Sequence, residues 1–281
     1  MTASTPDRGF VFAATGHDYV TLARRAARNL KQAMPRCQVD LFTDAEIDDE
    51  IFDRVHLLEH ASRRPKIEAM QRSRFERTIY LDADIAVLAP IDDVFDILDR
   101  FDLALVPSQR RNDRRNREQL PGHPVPPAFP QMNSGVMAVR RSARTDALLA
   151  DWHRMVHDGT QKFDQPSLRV LLYEGTLRLH ILPDEYNVMF FRPFMLNGTG
   201  FTAPRLLHEP KLHQREAGDP TRPFQLGEIL APPQIKKLAE MLDGDQTLSH
   251  YVPVTGGDPV KPTPRKTGWR TFLGNLKRRA I

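Results

Sequence analysis

The chain has 281 residues, 40% of them hydrophobic and 27% charged, with a formal net charge of +4. That supplies apolar material for one sizeable core and excludes a wholly disordered chain. The single cysteine, Cys37, excludes an internal disulfide and a cysteine-built zinc cluster. No apolar run approaches the roughly 20 residues that span a bilayer, and residues 10–14 are too short for a signal-peptide core. The expected location is therefore cytoplasmic.

In chain order, residues 10–14 read as a first buried strand, followed by the small-residue turn Ala14-Thr15-Gly16. Residues 19–34 carry apolar side chains at helical spacing (Tyr19, Leu22, Ala23, Ala26, Ala27, Leu30), and Pro35 ends the helix. Strands are expected at 39–43 and 55–58, a helix at 66–75, and strands at 78–81 and 102–106. Residues 108–130 are rich in Arg, Asn and Pro without a period and read as a long mobile loop of the lid or binding type. A strand at 132–139, helices at 143–156 and 165–173, short strands at 179–182 and 206–207, and a helix at 232–242 complete the pattern. Strands alternating with helices predict an α/β sheet covered on both faces, with ligands beyond the carboxyl ends of its strands. Residues 1–252 read as one domain, and 253–281 as a linker and basic amphipathic tail.

The sharpest chemical signal is Tyr80-Leu81-Asp82-Ala83-Asp84. An apolar strand delivers two carboxylates one residue apart, and strand alternation points both the same way. Converging carboxylates repel unless a cation neutralises them, and Mg²⁺ or Mn²⁺ commonly binds such pairs together with substrate phosphates. Asp-x-Asp also occurs as a simple turn cap, so the preceding strand carries the weight. His208 reads either as a metal ligand or as a hydrogen-bonded histidine at a strand end, and an imidazole beside two aspartates favours Mn²⁺ over Mg²⁺. Asn133-Ser134-Gly135 lets backbone approach a ligand closely or makes an ordinary turn. Asp164 before a helix is a site residue, an N-cap, or both.

Five segments in order resemble the GT-A glycosyltransferases, nearest to the retaining family 8 type: Ala13-Ala14-Thr15-Gly16-His17-Asp18-Tyr19, Asp82-Ala83-Asp84, Met132-Asn133-Ser134-Gly135-Val136-Met137, Phe163-Asp164-Gln165 and Leu207-His208-Glu209-Pro210-Lys211. The resemblance implies a GT-A (Rossmann-like) mixed sheet flanked by helices in a single domain, with the C-terminal tail appended. It implies transfer of a sugar from a nucleotide-diphosphate donor, UDP first, to a saccharide or lipid-linked acceptor with retention of configuration. By the same resemblance Ala14 and Thr15 line the base and ribose pocket, and Lys66 faces the donor. Asp82 contacts the ribose or the metal, and Asp84 and His208 hold the metal, Mn²⁺ (or Mg²⁺), with His213 the alternative to His208. Asn133 and Gly135 border the sugar, Asp164 and Gln165 act near the anomeric carbon, and Lys211 meets the diphosphate. The family's late motif has a glycine and a longer gap between its histidine and lysine, which His208 and Lys211 lack.

Two basic blocks stand outside this pattern. Arg110, Arg111, Arg114, Arg115 and Arg117 suit an acidic or phosphorylated acceptor. Trp269, Phe272, Leu273 and Leu276, flanked by Arg270, Lys277, Arg278 and Arg279, read as an interfacial helix. That helix would attach the chain to an anionic membrane, at the inner face of the cell membrane. Three rivals are a phosphohydrolase of the haloacid dehalogenase type, whose Asp-x-Asp normally follows the first strand, a non-catalytic sugar-binding module, and a nucleic-acid binder. No zinc, RRM or KH signature supports the last, and no nucleic-acid partner is expected.

Overall fold

The computed structural model describes residues 7–60, 64–157, 163–198, 200–254 and 260–263, so the expected tail helix lies outside the described residues. The elements run β1 (Arg8–Ala14), α1 (His17–Ala33), β2 (Val39–Thr43), β3 (Arg54–Leu57), α2 (Pro65–Arg72), β4 (Arg77–Leu81), β5 (Ile85–Val87), α3 (Asp93–Ile97), β6 (Leu103–Pro107), β7 (Met132–Arg140), α4 (Ala143–His157), α5 (Gln165–Glu174), β8 (Leu179–Ile181), β9 (Leu206–His208) and α6 (Pro232–Gly244). Among these, β5 and α3 were not expected from the sequence. Ile85 to Val87 is too short to show a period, and the five residues of α3 fall below a readable amphipathic repeat.

Seven strands form one sheet in the order β3-β2-β1-β4-β7-β6-β8. β1 pairs in parallel with β2 and β4, whereas β7 runs antiparallel to both β4 and β6. The sheet is therefore mixed. Alternation along β1 sends Phe10, Phe12 and Ala14 to one face, where α1, α3 and α6 cover them. Val11 and Ala13 go to the other face with Ile67 of α2, Trp152 of α4 and Leu168 of α5. Trp152 is fully buried and its indole N–H donates to the Asp164 carbonyl at 2.8 Å. Truncating a buried Trp of this kind costs about 3–5 kcal/mol.

A separate two-stranded antiparallel sheet joins β5 to β9, with Ile85 opposite His208. Val188 bridges to Leu207 beside it, and the His208 N–H reaches the Val188 carbonyl at 2.9 Å. This small sheet fixes the late histidine beside the early aspartates. α1 begins at Gly16, whose φ of 78° admits glycine readily. Its N–H is taken by both Asp44 carboxylate oxygens at 3.0 Å, so the helix start is capped from the end of β2.

Candidate functional site

The two aspartates lie in the turn between β4 and β5, not in strand alternation as the sequence suggested. The Asp82 N–H continues the β4–β7 ladder to the Gly135 carbonyl at 2.8 Å, and the Glu209 N–H bonds the Asp84 carbonyl at 3.0 Å. The turn is thus gripped from β7 on one side and from the end of β9 on the other. It aims the carboxylates at His208, and one ligand atom from each of Asp82, Asp84 and His208 lies within 4.8 Å of the others.

The histidine's tautomer follows from a chain of hydrogen bonds. The Gly135 N–H donates to Asn133 Oδ1 at 2.8 Å, which fixes the Asn133 amide. That oxygen also accepts from Asn187 Nδ2 at 2.8 Å, leaving Asn187 Oδ1 to accept from His208 Nδ1 at 2.9 Å. With Nδ1 donating there, His208 turns Nε2 towards Asp84 Oδ1 at 3.2 Å and Asp82 Oδ2 at 4.0 Å. The 3.2 Å approach lacks the alignment of a hydrogen bond, and Asp84 Oδ1 is a buried acceptor without a donor. A buried carboxylate oxygen without a donor, beside a ring nitrogen and a second carboxylate, is what a bound cation would satisfy. The set of two carboxylates and an imidazole fits Mn²⁺.

Without a cation, protons take its place. Burial opposes ionisation of Asp84, but His208 and His213 hold its carboxyl below the usual carboxylate range. Burial likewise disfavours the His208 imidazolium, but Asp84 holds its pKa above the ordinary value. His213 bonds the far oxygen, Asp84 Oδ2, at 2.9 Å and packs on Tyr19 with ring centroids 4.5 Å apart. Gly135 is demanded by contact: a Cβ there would lie 2.4 Å from His208 Cε1.

Lys66, in the first turn of α2, reaches Asp82 Oδ1 at 2.8 Å and the Ser134 carbonyl at 3.1 Å. The Tyr80 hydroxyl donates to Asp82 Oδ1 at 2.7 Å, and burial and the Asp82 charge push its phenol pKa up. A cavity of about 480 Å³ opens here, lined by Ala14, Thr15, Tyr19, Lys66, Asp82 and His213, among others. A neighbouring cavity of about 330 Å³ is lined by Asn133, Asp164, Gln165, Gln131, Met189 and Phe190, among others, and Arg64 borders both.

Asp164 stands at the N-cap of α5 yet makes no side-chain cap. Its Oδ2 accepts from the Ser134 hydroxyl at 3.0 Å, and its Oδ1 pairs with Arg64 Nε at 3.0 Å. Gln165 Oε1 accepts from Gln131 Nε2 at 2.9 Å. The fold therefore brings together Ala14, Thr15, Lys66, Asp82, Asp84, Asn133, Gly135, Asp164, Gln165 and His208. Lys211 is not brought to the first cavity. Its short 3-10 helix (Pro210–Gln214) turns it to a basin lined by the arginines of the 108–130 loop.

The sequence reading missed Asn187, Ser134 and Arg64. Asn187 follows a short 3-10 helix (Asp184–Tyr186) and bears no motif, so no local signal marks it. Ser134 stood inside a quoted motif, but its bonds to Lys66 and Asp164 arise only from the pairing of β7 with β4.

The family described as nucleotide-diphospho-sugar transferase matches residues 20–209. Curated protein sequences give no match. Among solved structures, the galactosyltransferase LgtC in complex with donor and acceptor sugar analogs is similar at 16% identity and a TM-score of 0.53, covering 72% of this chain and 87% of that one. The glycosyltransferase GlyE of Streptococcus pneumoniae TIGR4 is similar at 17% identity and a TM-score of 0.51, covering 72% of this chain and 54% of that one. The bifunctional glycosyltransferase WbbM in its apo form gives 14% identity and a TM-score of 0.50, covering 86% of this chain and 51% of that one. At these identities the structures bear on the fold, and the family match spans most of the chain. The resemblance read from the sequence holds at both levels: the chain is a GT-A-fold enzyme and belongs to the nucleotide-diphospho-sugar transferase family.

Proposed function

We propose that this transferase moves a sugar from a UDP-type donor to a saccharide acceptor, with Mn²⁺ held by Asp82, Asp84 and His208, and with retention of configuration. One observation carries the metal reading: the buried Asp84 Oδ1 has no hydrogen-bond donor and lies 3.2 Å from His208 Nε2, in one cluster with Asp82. A divalent ion bound there supplies Lewis-acid stabilisation to the departing diphosphate.

The chain's own residues do the rest. The 480 Å³ cavity takes the nucleoside, with Ala14 and Thr15 along its wall and Tyr19 offering a ring face. Lys66 adds a fixed positive charge beside Asp82, close to where charge develops on the leaving group. The 330 Å³ cavity takes the sugar. As the bond from the anomeric carbon to the diphosphate oxygen breaks, positive charge grows on the ring. Asp164 is held on that cavity's wall by Ser134 and Arg64, where its carboxylate would stabilise the charge electrostatically. Because both its oxygens are engaged, it serves better as a fixed charge than as a nucleophile or base, which supports retention. The acceptor oxygen bonds to the anomeric carbon, and its proton passes to the leaving phosphate on the same face. Met189 and Phe190 wall the sugar cavity and limit water, which would divert transfer to hydrolysis.

The test is a thermal-shift titration with UDP and GDP, each with Mn²⁺, Mg²⁺ or EDTA, on wild type and Asp84→Ala. A ligand that binds only the native state raises its stability. Stabilisation by UDP that requires Mn²⁺ and vanishes in the variant is expected. No nucleotide effect under any metal condition would sink the reading.

A further inference from the structure

Beside the sugar cavity lies a wider basin of about 1180 Å³ that the donor chemistry leaves unused. Its cations are Arg110, Arg114, Arg115, Arg117 and Lys211, against the acids Asp113, Glu118 and Glu209. The basin continues from the sugar cavity: Arg110, Arg115, Phe163, Met189 and Phe190 line both.

Several details set this surface apart from an ordinary solvated face. The Arg110 guanidinium lies 3.8 Å from the Phe190 ring centroid, and that of Arg115 lies 4.7 Å from Phe163. Stacking uses the flat face of each guanidinium and leaves its N–H edge for an anion. The nearby acids neutralise little. Glu209 accepts the Lys211 backbone N–H at the start of its short helix, and Asp113 approaches Arg110 only at 3.9 Å.

The loop that presents these arginines is anchored, not merely draped. Buried Arg169 donates to the carbonyls of Phe129, Pro126 and Val125 at 2.9, 3.0 and 3.4 Å. Gln119 clips Val125 through both its N–H and its carbonyl at 3.0 Å. None of the residues in the 3-10 helix Arg115–Arg117 is buried, so these cations contribute little to the core. The excess of cations over acids in this concavity favours an anionic ligand.

We infer that this basin seats the acceptor, and that the acceptor is a saccharide carrying a phosphate or carboxylate group near the hydroxyl that enters the sugar cavity. The inference rests on the donor reading above and names the acceptor class for the same site. The apolar walls suit the sugar's faces, and the guanidinium edges suit an oxyanion.

The test is isothermal titration of the full chain, with and without saturating UDP and Mn²⁺. The probes are glucose, glucose 6-phosphate, glucuronate and inorganic phosphate. Saturating nucleotide blocks the metal and diphosphate site, so the anions then report on the basin. The two anionic sugars are expected to bind about tenfold or more tightly than glucose, with affinity falling as salt rises. Arg110→Ser with Arg115→Ser should abolish that preference and leave UDP affinity unchanged, while the double Lys variant keeps it. Equal affinity for glucose and its charged counterparts, or a preference that survives the Ser variant, would overturn the proposal. So would inorganic phosphate binding as tightly as the sugar phosphate, because the basin would then read an ion and not a saccharide. UDP binding is read separately, so failure of the donor reading shows as loss of that signal while the basin's preference is still measured.

Discussion

Two buried aspartates at opposite ends of the sheet show how differently one side chain can be used. Asp102, at the entry to β6, is 0% exposed and fully bonded. It accepts from Arg140 at 2.7 Å, from Arg144 at 3.1 Å and from the Arg178 backbone N–H at 2.9 Å. Asp84, beyond the end of β4, is 2% exposed and keeps one oxygen without a donor. Burying a carboxylate is costly in both places. At Asp102 the fold offsets that cost with its own cations. At Asp84 it leaves the offset incomplete, which is the room the proposed cation would fill. A buried acid with all its bonds made is part of the scaffold, and one with a bond outstanding marks a binding site.

That contrast predicts opposite outcomes for the same substitution. Asp84→Asn should lower kcat/KM by about 10³-fold or more, since it removes a charge at the point where leaving-group charge develops. The metal-free variant should lose less stability than Asp102→Asn does, because Asp84 Oδ1 has no hydrogen-bond donor to lose. A fall in melting temperature as large as that of Asp102→Asn would break the comparison. Asp102→Asn should do the reverse and destabilise by about 3–5 kcal/mol, leaving three arginines around a neutral group. Its UDP affinity, measured well below the melting transition, should be that of wild type.

Gly135→Ala sharpens the donor side without touching charge. Its methyl would displace the His208 ring, so Mn²⁺-dependent UDP stabilisation should fall while far-ultraviolet circular dichroism stays native. Asn187→Leu removes the bond that fixes the histidine's tautomer. Metal affinity should drop about 10–100-fold, the usual cost of losing such a partner. The smallest effect is a pH dependence. Burial raises the Asp102 pKa, but the Arg178 N–H and the surrounding arginines hold it below the ordinary value. A depressed carboxylate stabilises above its unfolded pKa, about 3.9, and that contribution is lost as pH falls through the folded value. The stability gap between wild type and Asp102→Asn should therefore hold at neutral pH and narrow below about pH 4. Chemical denaturation across that range measures it.

Much of the fold was legible because apolar periodicity encodes it. Leu22, Ala26 and Leu30 mark one face of α1, and the alternation of β1 between two cores fits a covered sheet. The carboxylate pair was legible for its position after an apolar strand, although a turn, not strand alternation, makes its oxygens converge. Other features were hidden for physical reasons. Asn187 and Ser134 act through partners brought close by the antiparallel pairing of β7 and the small β5–β9 sheet, and Arg64 through Asp164 a hundred residues on, and nothing in their neighbours announces that. Lys211 followed its motif by sequence position, but the turn of its short helix faces another basin. At Asp164 the expected cap is absent because Ser134 and Arg64 compete for the same carboxylate.

The way β9 brings His208 to Asp84 also bears on the order of events during synthesis. The carboxylate pair leaves the ribosome together with β4, whereas the imidazole that completes the set arrives only when the last strand of the small sheet has been made. Folding during translation proceeds from the N-terminal side, and such non-local pairings close late. A cation that needs all three side chains therefore has nowhere tight to bind on a nascent chain, and binding the finished enzyme draws late-folding molecules towards it. On the proposed function, a chain truncated before residue 206 would carry both aspartates without His208, and is expected to show no metal-dependent response to UDP.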